Sequence, residues 1–95
     1  MTRPNDVLRF PRRLKGWKAS AVELRENELV LEFAGKGGPS RLVLKGIIGS
    51  RDAGLIGKAL VEYRIEDKGS YKQIAFIGLK GRVLFLARFL EGEFR

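Results

Sequence analysis

The chain has no cysteine and no histidine among its 95 residues. Without cysteine there can be no disulfide framework and no thiolate metal site. Without histidine the commonest metal ligand and the usual neutral-pH acid and base are gone. Amides are scarce too: Asn5, Asn27 and Gln73 are the only ones. Many charges with few amides and no cysteine is a thermophile-like balance. No apolar run near the N-terminus, MTRPNDVLRFPRR, is long enough for a signal peptide. The longest apolar-rich stretch, Ile74–Leu90, is broken by Gly78, Lys80–Arg82 and Arg88, which makes it too polar to span a bilayer. These absences give the expectation of a cytoplasmic protein with no membrane contact.

What is present is basic charge and strand pattern. There are 19 Lys and Arg against 11 Asp and Glu, a net charge of +8. Such a balance points to nucleic acid, an acidic protein surface or an anionic membrane as neighbour. The charge is uneven: residues 1–18 carry +5, 19–35 carry −3, 36–58 carry +4 and 59–95 carry +2. One hairpin is therefore acidic, while the N-terminal arm and the middle loops are basic.

Length and apolar content, 44%, suit one domain with one small core. Residues 1–16 hold Pro4, Pro11 and Gly16 without a clean period and read as a basic N-terminal arm. Residues 17–95 read as the folded domain. From Trp17 the pattern alternates, with Ser20, Val22 and Leu24 on one face. Glu26-Asn27 is a two-residue hairpin turn, Asn27 being able to take positive φ. Leu29, Leu31 and Phe33 then alternate with Glu28, Val30 and Glu32. Residues 35–40 form a loop, and Arg41–Ile48 a third strand. Gly49–Lys58, GSRDAGLIGK, is a tight glycine- and Asp52-based turn between strands. Strand four covers Lys58–Glu66, with Val61, Tyr63 and Ile65 sharing a face. Strand five is Tyr71–Leu79 and strand six Arg82–Phe89, followed by a short polar tail. The expected fold is all-β: a single small six-stranded β-barrel with a basic N-terminal arm. Its expected core is Ser20, Val22, Leu24, Leu29, Leu31, Phe33, Val61, Tyr63, Ile74, Phe76 and Phe85.

Strands five and six are apolar on both faces. Ile74, Phe76, Val83, Phe85 and Ala87 suit one, and Ala75, Ile77, Leu79, Leu84 and Leu86 the other. Either the arm covers the outer side with Leu8, Phe10 and Leu14, or Ala75, Ile77, Leu79, Leu84 and Leu86 form a protein-partner surface.

No catalytic set emerges. Ser20, Ser40, Ser50 and Ser70 have no base nearby in sequence, Asp52 reads as a turn former, and Glu66-Asp67 as a hairpin cap. The glycines of GSRDAGLIGK precede a strand rather than a helix, so the phosphate-cradling loop geometry is missing. The expectation is a protein that is not an enzyme and holds no cofactor or metal. The basic arm is the better lead. Arg9, Arg12, Arg13, Lys15 and Lys18 are interleaved with Phe10 and Trp17. Arginines contact phosphates and aromatics stack on bases, so Arg9, Arg12, Arg13, Lys15, Trp17 and Lys18 are the candidate nucleic-acid contacts. A solvated charge run with its aromatics folded onto the domain is the plainer alternative.

Several motifs resemble those of the small β-barrel subunit of archaeal H/ACA ribonucleoproteins. Ala21-Val22-Glu23-Leu24, the Asn27 turn and Leu29-Val30-Leu31 resemble its first hairpin. Asp52 with Leu55-Ile56-Gly57-Lys58 is similar to its Asp…Ile-Gly-Lys element, which PRC-barrel domains share. Gly69-Ser70-Tyr71 with Ile74-Ala75-Phe76, and Gly81-Arg82-Val83-Leu84-Phe85-Leu86, resemble its last strands. Lys68-Gly69-Ser70 stands where that family has Gly-Pro. The resemblance spans roughly residues 17–88. It implies a non-catalytic accessory barrel that docks on a pseudouridine synthase subunit and assists RNA loading and release, with RNA a secondary contact. A rival resemblance is to the small OB-type subunit of archaeal RNA polymerase, through Gly57-Lys58, Tyr63-Arg64-Ile65-Glu66 and Ile74–Leu79. A direct single-stranded nucleic-acid-binding module is the third reading.

Overall fold

The computed structural model describes residues 17–35 and 40–94, and the arm expected over residues 1–16 lies outside the described residues. The chain is all-β. Its strands are β1 (Lys18–Arg25), β2 (Glu28–Ala34), β3 (Ser40–Lys45), β4 (Gly49–Asp52), β5 (Glu62–Asp67), β6 (Lys72–Ile77), β7 (Val83–Phe89) and β8 (Glu91–Phe94). They form two four-stranded antiparallel sheets, ordered β1-β2-β3-β8 and β4-β7-β6-β5.

This corrects the six-stranded barrel in two ways. Eight strands stand among the described residues, because the Gly49–Asp52 turn and the polar tail are themselves paired. The sheets, moreover, are not closed into a barrel. They share one bent ribbon, in which β3 pairs β8 (Leu42 opposite Phe94) and β4 pairs β7 (Asp52 opposite Phe85). The ribbon turns its corner at Gly46 and Leu90. Gly46 has φ +69°, and a Cβ there would stand 2.8 Å from Leu90 Cδ1, so only glycine fits the bend. On the far side, among the described residues, the sheets pair only through isolated bridges, Lys18 opposite Ala59 and Ala19 beside Ile56.

The core between the sheets is built from alternate strand positions. Leu29, Leu31 and Phe33 of β2, Leu42 and Leu44 of β3, Ile74 and Phe76 of β6, and Phe85, Ala87 and Phe89 of β7 are buried together. Phe76 sits centrally, its ring centroid 5.3 Å from Phe33 and 6.2 Å from Phe85 in tilted pairs. Such pairs add about 0.5–1.5 kcal/mol each beyond the area they bury.

Three expected core residues lie elsewhere. Ser20 is exposed because β1 carries a bulge: Ala19 pairs Phe33, but Ala21 pairs Glu32, leaving Ser20 as the extra residue. The insertion shifts the alternation by one, so Trp17 and Ala19 point inward. Leu24 lies opposite buried Leu29 but is 59% exposed, near the end of an edge strand. Val61 is 39% exposed because Leu60 takes the inward place, its N–H donating to the Trp17 carbonyl oxygen at 2.8 Å. Val22 and Tyr63 only reach the margin of the core. In the Glu26-Asn27 turn it is Glu26, not Asn27, that has positive φ, at 52°.

Candidate functional site

Two loops meet beside the isolated bridges. The first, 53–61, begins at Asp52, whose Oδ1 accepts the N–H groups of Gly54 (3.0 Å) and Leu55 (2.9 Å). Asp52 is thus a turn former, bonding its own backbone as the motif requires. Leu55 and Leu60 are buried and pin the loop at both ends. Gly57, with φ +80°, donates its N–H to the Ala19 carbonyl at 3.0 Å. Lys58 and Ile56 are left exposed and Ala59 half-buried.

The second segment, 78–84, comprises the loop that joins β6 to β7 and the first two residues of β7. The Gly78 N–H donates to the Arg82 carbonyl at 2.8 Å across a short 3-10 turn, Leu79–Gly81. Here β7 also carries an extra residue: Phe76 pairs Phe85, but Ile77 pairs Val83. The residue between, Leu84, turns into the core cluster instead of joining the outer face expected for it. Gly78 makes room for it, since a Cβ at 78 would lie 2.7 Å from Leu84 Cδ1. Leu79, at the start of the turn, is 71% exposed.

Between the loops lies an open groove of about 590 Å³, lined by Lys58, Ala59, Leu79, Lys80, Arg82 and Leu84. Its electrostatics are one-sided. Neither 53–61 nor 78–84 contains an Asp or Glu. Among the described residues, Lys58, Lys80 and Arg82 have no carboxylate within ion-pair distance. Four of the acids are engaged elsewhere: Glu23 with Arg25, Glu32 with Arg41, Glu62 with Arg64 and Glu66 with Lys68, at 2.6–2.9 Å. Hydrogen bonds from Arg25 hold the Glu23 carboxyl below its ordinary pKa, and a bond from Lys68 does the same for Glu66. Lys18, exposed and opposite Ala59 across the bridge, adds a further cation beside the groove. The same loops expose Ile56, Val61 and Val83. This end of the molecule therefore offers unneutralised cations on aliphatic ground.

The residues expected to contact nucleic acid separate. Arg9, Arg12, Arg13 and Lys15 lie outside the described residues. Trp17 is 8% exposed, with its indole packed against Gly35, so its face is not open for base stacking. Of the expected partner surface, Leu79 alone is exposed. Leu86 is half-buried, while Ala75, Ile77 and Leu84 are buried. Sequence reasoning missed the grouping of Lys58, Lys80 and Arg82. The signal was available as two short stretches that hold cations and no acids, but nothing along the chain says that they adjoin.

No helix among the described residues is long and apolar enough to cross a membrane. The chain matches no known family, no curated protein and no solved structure.

Proposed function

We propose that this protein is a non-catalytic accessory β-domain of an RNA-handling assembly, and that it docks on a protein subunit through the groove between residues 53–61 and 78–84. The observation that carries the reading is the groove itself: Lys58, Lys80 and Arg82 without carboxylate partners among the described residues, beside the exposed Leu79. Exposed apolar ground combined with unpaired charge is what an interaction site offers. The RNA setting rests on the resemblance to the small barrel subunit of archaeal H/ACA ribonucleoproteins. Two of the segments that carry it, Leu55–Lys58 and Gly81–Leu84, contribute residues to opposite walls of the groove. On this reading the partner is a pseudouridine synthase subunit, and RNA is a secondary contact of the protein's remaining cations, Lys18 among them.

A direct single-stranded nucleic-acid binder needs stacking platforms. The aromatic rings whose surroundings are described do not supply one: Trp17, Phe33, Phe76, Phe85 and Phe89 are buried, Tyr63 is half-buried, and half-buried Tyr71 lies under Arg88, 5.9 Å from its ring centroid.

Titration calorimetry against a purified archaeal pseudouridine synthase subunit, with and without guide RNA, tests the reading. Docking on protein predicts binding without RNA and a salt slope shallower than that of phosphate binding. Absence of binding to the subunit in either state refutes it. Affinity for single-stranded RNA alone with a steep log–log salt slope puts direct nucleic-acid binding in its place.

A further inference from the structure

We infer that the segment received by the groove is an acidic stretch of polypeptide with an aliphatic anchor: carboxylates meeting Lys58, Lys80 and Arg82, and a Leu- or Ile-like side chain lying on Leu79 and Ala59. This rests on the docking reading and names the chemistry of its partner.

Charge complementarity carries the first half. Three exposed cations border one groove of about 590 Å³, and the two loops that build it, 53–61 and 78–84, contribute no carboxylate. Of the nine described cations outside the groove, four sit in ion pairs, whereas none of the three in the groove does. Four of the chain's acids are engaged with other bases on β1–β3 and around β5, and among the described residues none lies within ion-pair distance of the groove's three cations. An incoming carboxylate would therefore find donors not already engaged by an acid among the described residues, and charge-assisted hydrogen bonds to such donors are the stronger kind.

The aliphatic surface carries the second half and separates polypeptide from nucleic acid. Leu79, 71% exposed, lines the groove together with the cations, and Val83 at the start of β7 and Ile56 and Val61 in 53–61 are exposed nearby in sequence. A phosphate backbone gains nothing from aliphatic side chains, and of the groove-lining residues Arg82 alone offers a plane on which a base could stack. A protein segment can satisfy both surfaces at once, an apolar anchor in the centre and polar groups at the rim. A second copy of this chain is disfavoured as occupant, because two bodies of net charge +8 repel.

The test uses the full chain and four fluorescent probes of matched length. These are a Glu/Leu peptide, its Lys/Leu counterpart, an all-Glu peptide and oligouridylate. Fluorescence anisotropy should show the Glu/Leu peptide bound, the Lys/Leu peptide not bound, and the all-Glu peptide and oligouridylate at least about tenfold weaker, the loss expected when an anchor is removed. Leu79→Asp and the pair Lys58→Glu with Arg82→Glu should each weaken the Glu/Leu peptide about tenfold or more. All three positions are exposed, and unchanged far-ultraviolet dichroism checks that the fold persists. Amide resonances of Lys58, Ala59 and Leu79–Arg82 should shift on titration. Equal binding of the all-Glu peptide overturns the anchor. Oligouridylate binding as tightly, lost in the charge-reversal pair, assigns the groove to phosphate and overturns the inference. Concentration-dependent self-association removed by Leu79→Asp assigns it to a second copy and does the same. These outcomes do not depend on the synthase subunit, so the docking reading and the chemistry proposed for its partner can fail separately.

Discussion

Gly35→Ala tests whether the Trp17 indole is packed inside the domain. Gly35 follows β2, and a Cβ built on it would stand 2.6 Å from Trp17 Cδ2 and Cε2 and 2.7 Å from Cγ. Carbon atoms pack at about 3.5–4.0 Å, so the new methyl overlaps the fused ring by roughly 1 Å. The indole cannot bend, and it is held in a buried place by a backbone whose carbonyl takes the Leu60 N–H at 2.8 Å. Overpacking of this kind costs about 1–3 kcal/mol, and three ring atoms in conflict place this case at the upper end, about 2–3 kcal/mol. For a domain of this size 1 kcal/mol moves the melting temperature by roughly 4–8 °C, so the shift is large against a stability of about 5–15 kcal/mol. Trp17 is the only tryptophan in the chain, so its fluorescence reports the site directly. Urea unfolding followed by fluorescence and far-ultraviolet dichroism should give a lower midpoint and a red-shifted native emission. In a Trp17→Phe background the smaller ring leaves room, and the cost of Gly35→Ala should fall by about half or more, a coupling within the range seen for touching residues. If Gly35→Ala changes stability by less than about 0.5 kcal/mol, the range of neutral surface changes, with emission unmoved, then the ring is not packed on Gly35. The surface role for Trp17 would then return. Quenching of native emission by oligouridylate would point the same way.

Three further outcomes follow from the same geometry. Phe76→Ala removes the ring between Phe33 and Phe85 and should cost about 3–5 kcal/mol, read as a drop in urea midpoint; a cost under about 1 kcal/mol would mean the core can collapse around the loss. Glu26→Asn should stabilise by about 0.5 kcal/mol, because Glu26 holds φ 52°, a region Asn enters several times more readily than most residues; an unchanged or lower midpoint would count against strain at that turn. Glu23 and Glu66 have folded-state pKa values below their unfolded ones, so the unfolded chain binds more protons on acidification. Their contribution is present above the ordinary carboxylate range and is lost as pH falls through the lowered values. Both groups are exposed, so the effect should be small and should shrink further in high salt. Unfolding midpoints of Glu23→Gln and Glu66→Gln against the parent at neutral and acid pH measure it, and a larger difference at acid than at neutral pH would reverse the sign argued here.

The strand content and several turns are written locally. Leu29, Leu31 and Phe33 alternate in sequence and are buried in the same order, since the period of two is set by the pleat itself. Asp52 and Asp67 close their turns by accepting backbone N–H groups two residues on, at 3.0 and 2.9 Å, an interaction that needs no distant partner. Faces are another matter. The extra residues at Ser20 and Leu84 each change which side chains point inward, and a bulge exists only relative to the strand opposite. The pattern of apolar residues therefore read Leu84 as outer surface, although it packs over Gly78 in the core. The groove depends on tertiary structure for the same reason. Lys58 and Arg82 stand on loops separated by two strands, β5 and β6, and they share a groove because Leu55, Leu60 and Leu84 are drawn into one core. Composition sets how many cations this chain carries, and three of its ion pairs, Glu23–Arg25, Glu62–Arg64 and Glu66–Lys68, join residues two apart in sequence, while Glu32–Arg41 needs the pairing of β2 with β3. What only the tertiary structure decides is that Lys58, Lys80 and Arg82, from two acid-free stretches, come to share one groove.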